Sequence, residues 1–250
     1  AIRNRLRRLG LERPEDLILH LPLRYEDETR ITTIAEAAAG GALLVEGQVL
    51  DLAVGAAPRR QLVVRVADGS GGVLALRFIR FHASQQRGLE AASATGRRLR
   101  IFGEIRHGFH GPEMVHPRYR IVSADEPLAQ ALTPVYPTTA GLGQGTLRRL
   151  IARALAGADL TELLDADWCL ALALPSFAEA VALLHAPPST VPESTLQDRS
   201  HPAWRRIKFD ELLAQQLSLR RAYLARRRQR APALPDRKST RRNSSHLVIS

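Results

Sequence analysis

Gln61-Leu62-Val63-Val64-Arg65-Val66-Ala67, Asp68-Gly69-Ser70-Gly71-Gly72 and Val73-Leu74-Ala75-Leu76-Arg77-Phe78-Ile79-Arg80-Phe81 are three consecutive segments whose reading decides the fold. In the first, Leu62, Val64 and Val66 share one face of an extended chain, opposite Val63 and Arg65, the period of a half-buried strand. The second reverses the chain, because several glycines take positive φ without steric cost. The third returns as a strand to Phe81. Working outward, Leu44, Glu46, Gln48 and Leu50 alternate with Leu43, Val45, Gly47 and Val49 in an earlier strand. Ala83 to Ala92 reads as a helix. Arg98 to Arg106 and Met114 to Val122 supply two more strands around the turn His107-Gly108-Phe109-His110-Gly111. Three strands, a helix and two strands between 42 and 122 is the element order of an OB-fold, a small five-stranded barrel that commonly binds oligonucleotides.

The flanks are helical. Residues 1 to 20 form two short helices, with Ile2 and Leu6 at helical spacing, a break at Gly10 and Pro14 opening the second turn. Leu21-Pro22-Leu23-Arg24-Tyr25-Glu26-Asp27 follows as a loop, since Pro22 forbids further helix. Beyond 125, Leu147, Leu150, Ile151 and Leu155 make a helical stripe, and Ser176 with Glu179 three residues on signals a capped start. Pro187-Pro188 marks a linker. A long helix from Pro202 to Arg230 carries Phe209, Leu213, Leu217 and Leu224 on one side and calls for an apolar partner surface. Its arginines, from Arg205 to Arg230, suit a connector to a following domain. The expected architecture is α+β: an N-terminal helical segment over 1–38, the barrel over 39–124 and a helical region over 125–235. Residues 236–250, which include Arg237-Lys238-Ser239-Thr240-Arg241-Arg242, break from the preceding composition. They resemble translated adapter sequence and are left out of the fold as a disordered tail.

The 250 residues are 45% hydrophobic, ample for a packed core, and carry a net charge of +11. Such a field favours polyanions, nucleic acid first. Without the tail, which holds four basic residues and one acidic residue, the net charge is still +8. Lys208 and Lys238 are the only lysines, so nearly all the positive charge is arginine. No stretch approaches the roughly 20 apolar residues that span a bilayer, which makes the cytoplasm the expected compartment. The single cysteine, Cys169, closes no internal disulfide and reads as a small buried hydrophobe. No Gly-x-x-x-x-Gly-Lys-Ser/Thr phosphate loop occurs, so ATP hydrolysis by this chain is not expected. His107, His110 and His116 lack an accompanying carboxylate or thiolate at metal-ligand spacing, and no metal is expected. Glu26-Asp27-Glu28, flanked by Arg24 and Arg30, reads as a salt-bridged loop.

Three groups fall where an OB-fold engages nucleic acid. Arg59 and Arg60 end the first loop, Arg77, Phe78, Arg80 and Phe81 close the third strand, and Arg106, His107, Phe109 and His110 line the last hairpin. Cations neutralise phosphates and aromatic rings stack on unpaired bases, each worth about 1–3 kcal/mol. Phe78 facing the core and Phe109 covering an edge are the bland alternatives. Phe81, at the strand end beside Arg80, is the stronger stacking candidate.

Several blocks resemble the amino-terminal half of the RecG family of branched-DNA helicases. They are His20-Leu21-Pro22-Leu23-Arg24-Tyr25-Glu26-Asp27, Asp68-Gly69-Ser70-Gly71, Glu113-Met114-Val115-His116-Pro117-Arg118-Tyr119, Leu132-Thr133-Pro134-Val135-Tyr136-Pro137-Thr138-Thr139, Leu183-Leu184-His185-Ala186-Pro187-Pro188 and His201-Pro202-Ala203-Trp204-Arg205-Arg206. The resemblance covers about residues 1–235. It implies an OB-type wedge that holds a stalled replication fork or Holliday junction, with single-stranded DNA at the branch point, in DNA repair and recombination. The family's ATP- and Mg-dependent motor domains, its partners in the same polypeptide, pull duplex arms past that wedge. This chain lacks the motor, so it is expected to hold no cofactor and to be inactive alone, in the bacterial nucleoid. The family usually has an adjacent aromatic pair at the end of the third strand. Here Phe78 keeps the first place and Ile79 takes the second, which moves the expected stacking to Phe78 and Phe81. A free-standing OB module for single-stranded DNA or RNA is the alternative, and a protein-interaction scaffold is a third reading.

Overall fold

The computed structural model describes residues 2–37, 40–55, 60–108, 111–123 and 125–228. Two short helices, α1 (Ile2–Arg7) and α2 (Pro14–Ile18), lead to strand β1 (Arg24–Glu26). Then come β2 (Ala42–Val54), β3 (Leu62–Ala67), β4 (Val73–Phe78), α3 (Ala83–Ala94), β5 (Arg98–Glu104), β6 (Arg106–Gly108), β7 (Gly111–Val115) and β8 (Arg118–Val122). The chain ends with β9 (Thr133–Val135), α4 (Gln144–Ala156), α5 (Ala166–Ala171), α6 (Phe177–His185), α7 (Glu193–Gln197) and α8 (Pro202–Arg228). The fold class is α+β, as expected. Its contacts divide the chain into one unit ending at Ile207 and another beginning at Lys208.

The alternation read from the sequence builds the main sheet. Leu62, Val64 and Val66 of β3 and Leu74, Leu76 and Phe78 of β4 point inward with Val45, Leu99, Ile101 and Met114, and α3 covers them with Leu89 and Ala92. At the β3–β4 turn Gly69 has φ +83° and Gly71 φ +90°, a conformation that side chains disfavour. Asp68 fastens that turn by accepting from the Ile34 amide at 2.6 Å and from the Ser70 amide at 2.9 Å. Burial works to raise the Asp68 pKa, but the hydrogen bonds from Ser70 and Ile34 outweigh it and hold the carboxyl below its ordinary value. The long strand β2 serves two partners, β5 along its first half and β3 along its second, with a bulge between Val49 and Asp51 that bends it.

The strand count corrects the sequence reading: seven strands, not five, in the order β6-β7-β4-β3-β2-β5-β8. Arg98 to Arg106 is broken at Ile105, which is buried. Met114 to Val122 is broken at His116-Pro117, where His116 takes φ +50° and Pro117 has no amide to donate. The break sends the two halves to opposite sides of the sheet: β7 pairs in parallel with β4, and β8 pairs antiparallel with β5. Among the described residues no ladder joins the first strand of the order to the last.

Leu21 to Asp27 is not simply a loop. Its Arg24–Glu26 segment pairs with Thr133–Val135, more than a hundred residues on, an association that no local pattern announces. Two helical clusters lie beside this ribbon. One gathers Ile18, Tyr25, Leu132, Val181, Leu184, Leu196 and Trp204, the other Leu11, Tyr136, Leu142, Leu147 and Ile151. The N-terminal helices therefore pack with the helical region that follows the sheet. The cap expected at α6 is present, with the Ser176 hydroxyl accepting from the Glu179 amide and Glu179 from the Ser176 amide. Cys169 is only half-buried, because Trp168, Leu170 and Leu172 around it are exposed and the run does not enter a core. In the second unit, Leu217 and Leu224 of the stripe expected on α8 are exposed, as are Leu212, Leu219 and Tyr223, while Phe209 and Leu213 are half-buried. No described helix is long and apolar enough to cross a membrane.

Candidate nucleic-acid interface

The first cluster of candidates forms where β3 begins and β4 ends, since Leu62 pairs with Phe78 across the ladder. Arg60 approaches β3 and Phe81 leaves β4, and the Arg60 guanidinium lies over the Phe81 ring, 5.2 Å from its centroid. Phe81 is half-buried against the sheet core while Arg60 and Arg80 are exposed. A ring fixed along one side and flanked by two cations suits a stacked base with its phosphate neutralised alongside.

Phe78 does not belong to that surface. Its side chain is in phase with Leu74 and Leu76, it is 3% exposed, and it meets the Tyr119 and His116 rings edge-on at 5.7 and 6.2 Å. No face of the ring is left for a base, which corrects the expectation that Phe78 stacks. Ile79, in the place of the second aromatic, is 54% exposed, and its amide donates to Nε2 of His116 at 3.3 Å.

Arg77 points to the outer face but is engaged. It pairs with Glu113 of β7 at 2.7 Å, which ties the parallel strands together. Glu113 offsets that charge and competes with a phosphate for the same N–H donors, so Arg77 is a weaker phosphate ligand than its position suggested. Arg65 was read from sequence only as a strand residue. It shares this outer face, opposite Ala75 in the register, and bonds Asp51 at 3.1 Å while remaining exposed. Its alternation with Leu62, Val64 and Val66 was the available signal.

Arg106 and His107 are exposed on the edge strand β6. The register places Arg106 opposite Glu113, which is level with Ala75, while Phe81 lies beyond the far end of β4. Ala75 and Phe81 are six residues apart, with β4 ending at Phe78 and the chain bending at Ile79-Arg80 between them. Arg106 also bonds Glu104 at 3.1 Å. The candidates thus divide into an Arg60–Arg80–Phe81 group and an Arg106–His107 group, with Arg65 and Arg77 on the face between them. Arg59, Phe109 and His110 lie outside the described residues.

A family model described as the RecG wedge domain matches residues 2–157. The chain is 42% identical over 225 residues to the ATP-dependent DNA helicase RecG of Escherichia coli O127:H6, covering 88% of this chain and 31% of that protein. It is 38% identical over 245 residues to the RecG of Haemophilus influenzae, covering 94% of this chain and 33% of that one. The chain therefore spans about a third of the length of these curated relatives. A solved structure of RecG bound to a three-way DNA junction is similar in fold, with a TM-score of 0.63 at 18% identity over 90% of this chain and 30% of that one.

Proposed function

The chain belongs to the RecG wedge domain family, and from that premise we propose that it grips branched DNA for a RecG-type ATP-dependent helicase acting in repair and recombination. The observation that carries the reading is the exposed Arg60 guanidinium over the half-buried Phe81 ring, beside the exposed Arg80 at the end of β4. Such cations hold phosphates without reading sequence, and a ring between them stacks on a base freed at a branch point. The fork or Holliday junction is the substrate class, and single-stranded DNA at the branch is what Phe81 meets. The solved relative's three-way junction is consistent with that class.

On the same reading the sheet over 39–124 is an OB-type barrel. Two halves of one chain run, β7 and β8, pair at opposite sides of the strand order, so the His116-Pro117 corner takes the place of a closing ladder. The parts on either side, 1–38 and 125–235, link this wedge to the helicase domains of the longer relatives. ATP and Mg serve those domains and no cofactor is assigned to this chain, which works at the nucleoid.

A gel-shift comparison of single strand, duplex, three-way junction and four-way junction at one salt concentration tests the proposal. Preference for junctions supports it, preference for single strands favours a free-standing OB module, and salt-insensitive binding favours a protein scaffold.

A further inference from the structure

The register that sends Val45, Leu99 and Ile101 into the core sends their neighbours to the opposite face of β2, β5 and β8. There Leu44 stands across from Phe102 and Phe102 across from Arg118, while Glu46 faces Arg100 and Arg100 faces Arg120. An outward face ordinarily meets water, yet Arg100 and Glu46 are each only 6% exposed. The segment after β8 covers them: Arg100 bonds Glu46 at 2.9 Å and donates to the carbonyls of Glu126 and Pro127. Beyond that covered pair the two layers part into a cleft of about 400 Å³ lined by Arg100, Phe102, Arg118, Arg120, Thr133 and Arg148, among others.

Four of the lining side chains are arginines and one, Glu28, is a carboxylate. Arg118 is held by Glu26 and Glu28 and lies over the Phe102 ring at 4.9 Å, and Arg120 is held by Glu126 at 2.9 Å. Arg148 differs. Its Nε donates to the Pro134 carbonyl at 2.9 Å, no carboxylate among the described residues is in ion-pair reach, and its Nη2 is enclosed without a hydrogen-bond partner. An enclosed guanidinium nitrogen left unbonded costs free energy that an anionic acceptor would restore. Burial, and after it the neighbouring Arg118 charge, lower the Arg148 pKa, which an anion between the two would reverse.

We propose that this cleft between β8 and α4 seats a backbone phosphate of a bound nucleic-acid strand on Arg148 Nη2 and Arg118, as a second contact away from the Arg60–Phe81 group. The inference rests on the nucleic-acid reading above. A phosphodiester carries one negative charge and accepts from a guanidinium fork, so it answers both the unbonded nitrogen and the excess of arginine. Glu28 opposes it, drawing on Arg118 and repelling an incoming anion.

Titration of the full chain with a labelled three-way junction across a salt series, using R148Q and E28Q, tests the cleft. R148Q should weaken binding about tenfold and reduce the slope of log affinity against log salt by about one. E28Q should tighten binding several-fold, a gain that misfolding does not produce. If R148Q fails to melt cooperatively, E28Q alone decides. Wild-type binding to the junction with both variants unchanged in affinity and slope overturns the cleft while leaving the proposed function standing. No binding by wild type to any nucleic acid overturns both. Stabilisation by inorganic phosphate that R148Q abolishes, with junction binding untouched, assigns the cleft to a free anion and overturns the strand contact.

Discussion

The Tyr136 hydroxyl and Nδ1 of His185 lie 2.8 Å apart inside the helical part of the fold, and Nε2 of the same ring sits 2.8 Å from the Ile18 carbonyl. A carbonyl can only accept, so Nε2 carries the proton and Nδ1 accepts from the phenol. One neutral imidazole thus joins α2, the segment after β9 and the end of α6. Nearby, the Tyr25 hydroxyl donates to the Leu184 carbonyl at 2.8 Å. Burial raises the pKa of both tyrosines, so both phenols stay protonated and available as donors.

Stability should fall as pH drops from 7.5 to 5.5. Burial lowers the His185 pKa below its ordinary value, and nearby His20 adds to the effect, while the hydrogen bond to Ile18 opposes it. The unfolded chain then binds a proton that the folded one refuses, so stability is full above about pH 6.5 and is lost as pH falls from there toward the folded pKa. Thermal melts across that range should show the decline in wild type and a flatter dependence in His185→Gln.

Removing the buried guanidinium of Arg206 should destabilise the fold by about 3 kcal/mol. Arg206 is 2% exposed, and its two terminal nitrogens grip the Glu162 carboxylate at 2.7 Å each. The Arg206 hydrogen bonds, with help from the Leu164 and Phe177 amides and against burial, pull Glu162 down to about 2. Glu162 keeps some solvent contact, which places the loss at the lower end for a buried pair. Urea unfolding of Arg206→Met against wild type measures it.

Phe78→Ala and Phe81→Ala should separate folding from binding. Truncating the enclosed Phe78 removes core contacts and should cost about 3–5 kcal/mol. Truncating Phe81 should weaken junction binding by about 1–3 kcal/mol and affect stability less, since the ring is only half-buried. Paired melts and titrations check both, and equal losses for Phe81→Ala would make its ring a core element.

Gly47→Ala should destabilise by about 1–3 kcal/mol although it adds one methyl group. A Cβ at this position would meet the Ala67 carbonyl oxygen at 2.7 Å and the Ala67 carbonyl carbon at 3.0 Å, and backbone cannot rotate aside as a side chain does. A lowered melting temperature with unchanged junction preference is the expected outcome.

Local order carried much of this protein into view. A period of two made the strands and their inward faces legible, the Asp68–Gly72 glycines announced the reversal, and Ser176 with Glu179 announced α6, because each signal depends on residues a few positions apart. The inward place of Phe78 was also legible, since it keeps the phase of Leu74 and Leu76. Only the tertiary structure decided that Arg24–Glu26 pairs with Thr133–Val135, that the run through His116-Pro117 divides between two sides of the sheet, and that Glu113 engages Arg77. It alone brought Arg118 and Arg148 to one cleft. Side-chain periodicity states which residues share a face, but ladder partners and charge partners distant in sequence are chosen by how whole layers pack. A cation's availability to a ligand depends on that choice.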